Sequence, residues 1–289
     1  MKIGITAITD RGRERENNED AFIFCPDLAR PDWTLDDTGG YLPLGDCGSL
    51  VVIADGMGGT SAGEVASAIA AESIRDSFTP EASRQAAASE QSITDFLHEA
   101  VRRANADINS YIVDHPETAG MGTTVVVAWI FSDKAYIAWC GDSRCYVYDP
   151  LSGLDELTRD HSYVQELVDR GELSKEEMFT HPDNNLITRG LGDVEVSTVP
   201  DVLSVTVSPN SLFLLCSDGL CGYCQKKDIE RTVKQNFKDI TKCRDELLRQ
   251  ALGAGGYDNI CIAIASLIRD ADQTPTAPGF LSRVRNILG

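Results

Sequence analysis

Short apolar runs that begin or end at an aspartate constrain the fold of this chain more than any other feature of its sequence. Three runs lead into an aspartate: 50–54 before Asp55, Lys134–Cys140 before Asp142, and Leu212–Cys216 before Asp218. Two more runs follow one, because Asp20 precedes 21–24 and Asp258 precedes Ile260–Ile268. Apolar runs of this length, bounded by Gly and Asp, are typical of buried β-strands.

The five aspartates would share one edge of the sheets if the strands that follow an aspartate run antiparallel to those that lead into one. Turn chemistry alone explains any single Asp-Gly pair, but five aspartates at one edge indicate a site. Clustered carboxylates repel one another unless cations lie between them, and oxygen ligands without nearby His or Cys favour Mg²⁺ or Mn²⁺ over zinc. Two such ions about 3.5–4 Å apart would lower the pKa of a bridging water and assist its in-line attack on phosphorus.

A site of this kind also needs a cation for the phosphate oxygens of its substrate. Arg15 lies in the charged turn beside Asp20. A guanidinium can bind two phosphate oxygens at once, so Arg15 is the candidate for this role. The four histidines are scattered and none has ligand spacing, which argues further against zinc.

The remaining strand patterns predict how the runs pair. Residues 2–9 alternate weakly and are expected to pair with 21–24. Residues 123–131 and Lys134–Cys140 are separated by Ser-Asp only, which predicts a hairpin, and 144–148 would extend it as a meander.

Amphipathic helices lie between these strands. Residues 64–77 are rich in Ala, and from 93 to 112 apolar residues recur three and four positions apart. The order is a strand pair, two long helices, antiparallel strands, further helices and a closing strand, which is not the alternation of a doubly wound sheet. It predicts an α+β fold in which helices cover antiparallel sheets.

The charge of the chain excludes some classes of partner. There are 26 Lys and Arg against 45 Asp and Glu, a formal net charge of −19. Such a balance argues against a general nucleic-acid binder and against docking on anionic lipid. Most of the acids are interpreted as a solubilising surface, and a few as metal ligands.

The cysteines and apolar stretches indicate the compartment. No stretch approaches the roughly 20 apolar residues of a membrane span, and the first residues lack the apolar core of a signal peptide. Several of the nine cysteines lie in strand-like runs as small hydrophobes, so a reducing cytoplasm is predicted. Cys221 and Cys224 have redox spacing but lack its βαβ context, so packing is the favoured interpretation.

Eight segments of the sequence resemble, in order, those of the bacterial metal-dependent protein phosphatases of the PPM (PP2C-like) class. They are 15–21 (RENNEDA), 52–59 (VIADGMGG), 122–124 (GTT), 141–144 (GDSR), 157–162 (LTRDHS), 186–192 (LITRGLG), 217–220 (SDGL) and 258–259 (DN). The resemblance implies a four-layer αββα sandwich with two central antiparallel sheets. It also implies hydrolysis of phosphoserine and phosphothreonine on proteins by a hydroxide that bridges two Mn²⁺ or Mg²⁺ ions.

The resemblance also implies roles for the residues of the two principal ions. Asp55 would bridge both ions, and Gly56 would offer its carbonyl oxygen to one of them. Asp218 and Asp258 would hold the other ion.

The remaining site residues have roles implied in the same way. Glu19 and Asp20 would act through metal-bound water, and Asp142 would build a third, weaker metal site with Asp218. Arg15 would clamp the phosphate. As catalytic residues we therefore expect Asp55, Asp218 and Asp258.

The sequence departs from this pattern at the general acid. Met57 stands where eukaryotic relatives carry a histidine, and a thioether cannot donate a proton. Protonation of the leaving group would then come from metal-bound water or another group. His161 is available in principle, but a structural role near a helix start is the favoured interpretation.

The domain boundaries are predicted from the same resemblance and from the sequence pattern. One phosphatase domain is expected over 1–268, with an inserted loop over 25–46 near the site and a mobile flap over 171–199 where substrates are selected. Residues 269–289 are predicted to form a linker and a short amphipathic helix that docks on the domain, binds a partner or touches a membrane.

Two other functions stay open at this point. A catalytically inactive regulatory module of the same fold would have lost its metal carboxylates, whereas Asp55, Asp218 and Asp258 are present. A two-metal nuclease would need a basic groove, which the net charge disfavours. The predicted enzyme is a monomer that reverses a Ser/Thr kinase, with phosphoproteins as substrates and no nucleic-acid partner.

Overall fold

Two antiparallel sheets stand face to face in this computed structural model, which describes residues 1–58, 62–192 and 197–269. The first sheet contains, in order, β3 (Leu42–Pro43), β1 (Lys2–Asp10), β12 (Ile260–Ile268), β11 (Leu212–Cys216), β8 (Arg144–Asp149) and β9 (Gly153–Glu156). The second contains β10 (Asp201–Thr206), β7 (Lys134–Cys140), β6 (Val125–Phe131), β4 (Ser49–Met57) and β2 (Asp20–Cys25), and β5 (Gly122–Thr123) pairs with the end of β4.

Helices cover the outer face of each sheet, so the predicted α+β sandwich of four layers, αββα, is confirmed. The helices of the described residues are α1 (Ala62–Ser77), α2 (Pro80–Ala86), α3 (Glu90–Asp114), α4 (Tyr163–Asp169), α5 (Lys175–Met178), α6 (Asp218–Cys221), α7 (Lys226–Asn236) and α8 (Ile240–Gly253). Helices α1 and α3 pack on the second sheet, and α7 and α8 on the first. None of these helices is long and apolar enough to cross a membrane.

The continuous apolar runs of the sequence are explained by this layering. Strand β6 is buried on both faces because one face meets α1 and α3 and the other meets the first sheet. On the helical side Trp129 packs edge-on against Phe78 at 5.2 Å between ring centroids, and its indole N–H donates to the carbonyl oxygen of Cys47 at 2.9 Å. Strand β6 is therefore held by packing on both of its faces, which fixes the position of the residues at its ends.

Two predicted strand pairings are wrong. β1 pairs with β12 and β3, not with β2, and β8 pairs with β11 and β9 rather than extending the hairpin of β6 and β7. The chain crosses from the second sheet to the first between β7 and β8. The turn at this crossing passes through Gly141, whose φ of 120° is unfavourable for other residues. β7 pairs with β6 in the predicted hairpin, and on its other side it pairs with β10, a half-exposed strand that the apolar pattern did not indicate.

The insertion at 25–46 lies away from the cavity described below, whereas the sequence predicted it near the site. It runs along the edge of the first sheet, where β3 pairs with β1 and the Asp37 carboxylate accepts from the Thr6 hydroxyl at 2.8 Å. None of its residues lines the cavity described below. Within 269–289 all but the first residue lie outside the described residues, so the predicted terminal helix stays a prediction.

Candidate active site

The second sheet positions one half of the predicted site. In the register of β2 and β4, Asp20 lies directly opposite Asp55. The carbonyl oxygen of Asp55 accepts from the Thr124 N–H at 2.8 Å and from the Thr123 hydroxyl at 2.9 Å. At Gly56 any Cβ would overlap the carbonyl oxygen of Gly63 at the start of α1. The end of β4 is thereby fixed between β2, β5 and α1.

The first sheet supplies the other half through two neighbouring strands. Asp218 begins α6 directly after β11, and Asp258 lies just before β12. These two segments touch so closely that a Cβ at Gly219 would overlap the carbonyl oxygen of Asn259. The Asp-Gly pair at 218–219 is therefore a requirement of packing as well as of turn chemistry.

The predicted site residues meet at one cavity of about 560 Å³. The predicted residues that line it are Arg15, Glu19, Asp55, Gly56, Asp142, Asp218 and Asp258. Asp20 is buried beside them, and its Oδ2 accepts from the Ser217 hydroxyl at 2.7 Å. Strands from both sheets thus bring together all the residues that the sequence placed at a common edge.

The carboxyl groups of this cluster cannot all be ionised without a cation. Burial, together with repulsion from Asp218 and Asp258, raises the pKa of Asp20 to about 8. Burial and repulsion from Asp258 raise the pKa of Asp218 to about 6. The pKa of Asp55 is raised well above its usual value by burial and by repulsion from four neighbouring aspartates. Carboxyl groups whose pKa is raised in this way retain protons, which a bound cation would replace.

The donor set fits a hard divalent ion whose coordination is completed by water. Asp20 Oδ1 is buried and has no hydrogen-bond partner among the described residues, so it is a ready acceptor for a cation or for metal-bound water. No three His, Cys, Asp or Glu side chains within the described ranges are close enough together to enclose an ion by themselves. Backbone carbonyl oxygens and water would therefore complete the shell, as Mg²⁺ in particular prefers.

Arg15 lies at the cavity but is engaged with a carboxylate. Its Nη2 donates to Asp258 Oδ2 at 2.7 Å, and this hydrogen bond raises the pKa of the guanidinium. The side chain is half exposed, so it can exchange this partner for another anion in the cavity.

One functional residue that sequence reasoning missed is Asn259. Its Nδ2 donates to the carbonyl oxygens of Arg11 at 2.9 Å and Asn17 at 2.8 Å, and its Oδ1 accepts from the Glu19 N–H at 2.8 Å. The buried amide thus fixes the charged turn, which carries Arg15 and Glu19, onto the start of β12. The Asp-Asn pair at 258–259 was the available signal.

A second missed element is the buried ion pair between Arg144 and Asp160. Arg144 Nε donates to Asp160 Oδ1 at 2.7 Å and Nη2 donates to Oδ2 at 2.6 Å. Both residues line the cavity next to Asp142. Burial raises the pKa of Asp142, repulsion from Asp218 and Asp160 adds to this, and Arg144 opposes it. The pairing with Asp160 holds the positively charged guanidinium of Arg144 beside the acid cluster.

His161 does not line the cavity, in agreement with a structural role. Its Nδ1 accepts from the Gly141 N–H at 3.1 Å, its Nε2 lies 3.2 Å from Asp201 Oδ2, and its ring stacks on Trp139. Burial lowers its pKa because the charged form is disfavoured. Cys221 and Cys224 are buried free thiols, which agrees with packing.

The predicted flap forms one wall of the cavity. Met178 and Phe179, at the end of α5, line it together with Val164 and Ile187. Residues 193–196 of this segment lie outside the described residues. This wall thus contributes both apolar and polar side chains to the cavity, the polar ones being Lys175, Glu176, Asn184 and Asn185.

Comparison with protein families gives one match that covers most of the chain. The model of the family "Protein phosphatase 2C" matches residues 14–260. The serine/threonine phosphatase stp of Listeria monocytogenes is 34% identical over 265 residues, which are 92% of this chain and 95% of that protein.

Solved structures agree with this match. A crystal structure of the Mycobacterium tuberculosis serine/threonine phosphatase PstP covers 93% of this chain at 29% identity, with a TM-score of 0.75 and all of that chain aligned. The catalytic domain of PstP in complex with two manganese ions aligns over 93% of this chain and 99% of its own, at 28% identity and a TM-score of 0.73.

Proposed function

The chain belongs to the protein phosphatase 2C family, and from this premise we propose that it is a metal-dependent phosphatase of phosphoserine and phosphothreonine on proteins. The observation that carries the proposal is the meeting of strand ends from both sheets at one cavity, where Asp55, Asp142, Asp218 and Asp258 lie beside Arg15. Neither the acids nor the arginine has a comparable use in packing, because all of them face the cavity.

Two Mn²⁺ or Mg²⁺ ions are the cofactor we propose, with Asp55 between them. Gly56 would add its carbonyl oxygen to one, Asp218 and Asp258 would hold the other, and Glu19 and Asp20 would bind water around them. Asp142 with Asp218 would hold a third, weaker ion. The raised pKa values of the buried acid cluster and the unpartnered Asp20 Oδ1 support this assignment. When bound, the ions would acidify water and offset the charge of the phosphate.

The side chains of the protein orient the substrate around this centre. Arg15 binds the phosphate oxygens after its guanidinium leaves Asp258, which lies 2.7 Å away. Water attacks phosphorus opposite the serine oxygen, the P–O bond to serine breaks, and a proton from water passes to the leaving oxygen, so the products are inorganic phosphate and the serine hydroxyl. Met57 lines the cavity and cannot supply that proton, and His161 is held away from it by Gly141 and Asp201.

The reaction places the enzyme opposite a Ser/Thr kinase, since it restores the hydroxyl that a kinase phosphorylates. We also propose that it works in a reducing compartment, the cytoplasm. All nine cysteines are buried free thiols, which supports this placement.

Hydrolysis of an aryl phosphate in the presence of Mn²⁺ tests the proposal. The purified wild-type chain should release inorganic phosphate, and release should stop on addition of a chelator. The Asp218→Asn variant is the control for contaminating phosphatases. Wild-type activity no greater than that of Asp218→Asn would refute the proposed function.

A further inference from the structure

A ridge of polar and aromatic residues at 223–227 separates the catalytic cavity from a second cavity. Tyr223, Gln225 and Lys227 line both cavities, and Lys226 lines the catalytic one. The second cavity, of about 740 Å³, opens between α7 and α8. A chain that enters the catalytic cavity therefore has a continuous path over this ridge, which we call the 223–227 ridge.

The lysines of the 223–227 ridge are the available positive charges along this path. Lys226 and Lys227 are exposed, and neither lies within 4.0 Å of a carboxylate in the part of the chain that the structure describes. The arginines of the second cavity differ, because Arg231 pairs with Asp228 at 2.8 Å and Arg249 pairs with Glu246. Two unpaired lysines side by side are notable in a chain with a net charge of −19.

An exposed aromatic pair lies at the same place. The rings of Tyr223 and Tyr257 are 5.6 Å apart, and the residues are 39% and 54% exposed. Tyr257 neighbours Asp258, to which Arg15 donates. Tyr223 lines the same cavity as Arg15 and the two lysines, so its exposed ring is available for contact with a bound peptide.

We propose that the 223–227 ridge binds acidic residues next to the phosphoserine, so that the preferred substrates are phosphoproteins with acidic residues flanking the phosphorylated site. This inference rests on the proposed function, since it assigns the same cavity its substrate class. An acidic peptide complements the two unpaired lysines, and it can extend from the cavity toward α7 and α8. Nucleic acid and anionic lipid are disfavoured by the acidity of the chain as a whole.

Glutamates within the cavity do not cancel this charge. Glu156 lies 3.8 Å from Arg144, on the side of the cavity formed by β8 and β9. Glu176 belongs to α5, next to Lys175, so the charge of that wall is mixed. Selectivity for acidic residues is therefore assigned to the 223–227 ridge and not to the flap.

The test compares two phosphopeptides of equal length that differ only in flanking Asp and Glu versus Asn and Gln. Wild-type enzyme with Mn²⁺ should show a kcat/KM about 3- to 10-fold higher for the acidic peptide, the range expected of two exposed ion pairs. The ratio should shrink toward one in about 0.5 M salt, because exposed charges are screened.

Two double variants locate the effect. K226Q/K227Q should bring the ratio close to one, whereas K234Q/K242Q, which removes the same charge from residues lining neither cavity, should keep the wild-type ratio. Each variant's peptide rates are normalised to its own aryl phosphate hydrolysis. A wild-type ratio near one, or an unchanged ratio in K226Q/K227Q, would overturn the inference.

Three further results separate this inference from others. Competition by single-stranded RNA, with none by the unphosphorylated acidic peptide, would assign the 223–227 ridge to nucleic acid and overturn it. Aryl phosphate hydrolysis without a peptide preference would leave the proposed function standing and refute the inference alone. Absence of all hydrolysis would refute both.

Discussion

Replacement of Asp55 by Asn should stabilise the metal-free protein while it removes activity. Asp55 lies in the cavity among four other aspartates, and burial with their repulsion raises its pKa well above the usual value. Asn has nearly the same shape, carries no charge, and can donate to the neighbouring carboxylates of Asp20 and Asp218. The substitution therefore removes the repulsion without leaving a hole.

The size of the effect follows from Coulomb's law. Two unit charges 4 Å apart repel by about 4 kcal/mol at an effective dielectric constant of about 20. Protons bound to the carboxyl groups of raised pKa already relieve part of this repulsion, so a gain of about 1–3 kcal/mol in the free energy of unfolding is expected. For a protein of this size that is an increase of about 2–10 °C in Tm.

The assay is thermal unfolding at pH 8, with chelator or with Mn²⁺, together with aryl phosphate hydrolysis. Wild-type protein should gain about 3 kcal/mol when Mn²⁺ is near 100 times its Kd, and Asp55→Asn should gain much less. Its activity should fall more than about 100-fold, because even residues that only support metal ligands cost 10- to 100-fold. Asp114→Asn, at the exposed end of α3, is the matched control and should behave as wild type. A lower Tm for metal-free Asp55→Asn, or an unchanged response to Mn²⁺, would refute the reasoning.

Four further predictions concern the support of the site and its protons. Asn259→Ala removes three hydrogen bonds to the turn 11–19 and should cost about 1–3 kcal/mol in urea unfolding and about 10-fold in activity; unchanged activity would contradict its positioning role. Arg144→Ala leaves the buried Asp160 carboxylate unpaired and should cost about 3–5 kcal/mol, and a loss below about 1 kcal/mol would show that the pair is dispensable. Binding of Mn²⁺ at pH 7 should release protons, measured by calorimetry in buffers of different ionisation enthalpy, because the pKa of Asp20 is raised to about 8. Since a raised carboxyl pKa favours the folded protein at low pH, metal-free protein should lose stability from about pH 4 to pH 8, and a rise over that range would contradict the assigned shifts.

The sequence predicted the site better than the sheets around it. Where Asp next to Gly follows an apolar run, the sequence shows both where the strand ends and that a carboxylate lies at this end. The acids at 55, 142 and 218 could therefore be placed at one edge. The sequence has no comparable signal for which of the two sheets each strand joins. Strands buried on both faces are apolar throughout, and the pattern is the same whichever sheet they join.

Contacts between distant segments account for most of what the sequence could not predict. Asn259 acts through the turn 11–19, about 240 residues away, and the partner of Arg144 is identified only once β8 turns back toward Asp160. The insertion at 25–46 was expected beside the site because of its place in the sequence. Its position is decided instead by edge pairing with β1 and by Asp37.

Anomalous scattering from crystals grown with Mn²⁺ tests the central claim most directly, because it locates the ions without reference to activity. The account predicts at least two manganese peaks in the cavity, with the Asp55 carboxylate in contact with both and with Asp218 and Asp258 at one of them. Peaks remote from these carboxylates, or no manganese peak in the cavity at saturating Mn²⁺, would contradict it.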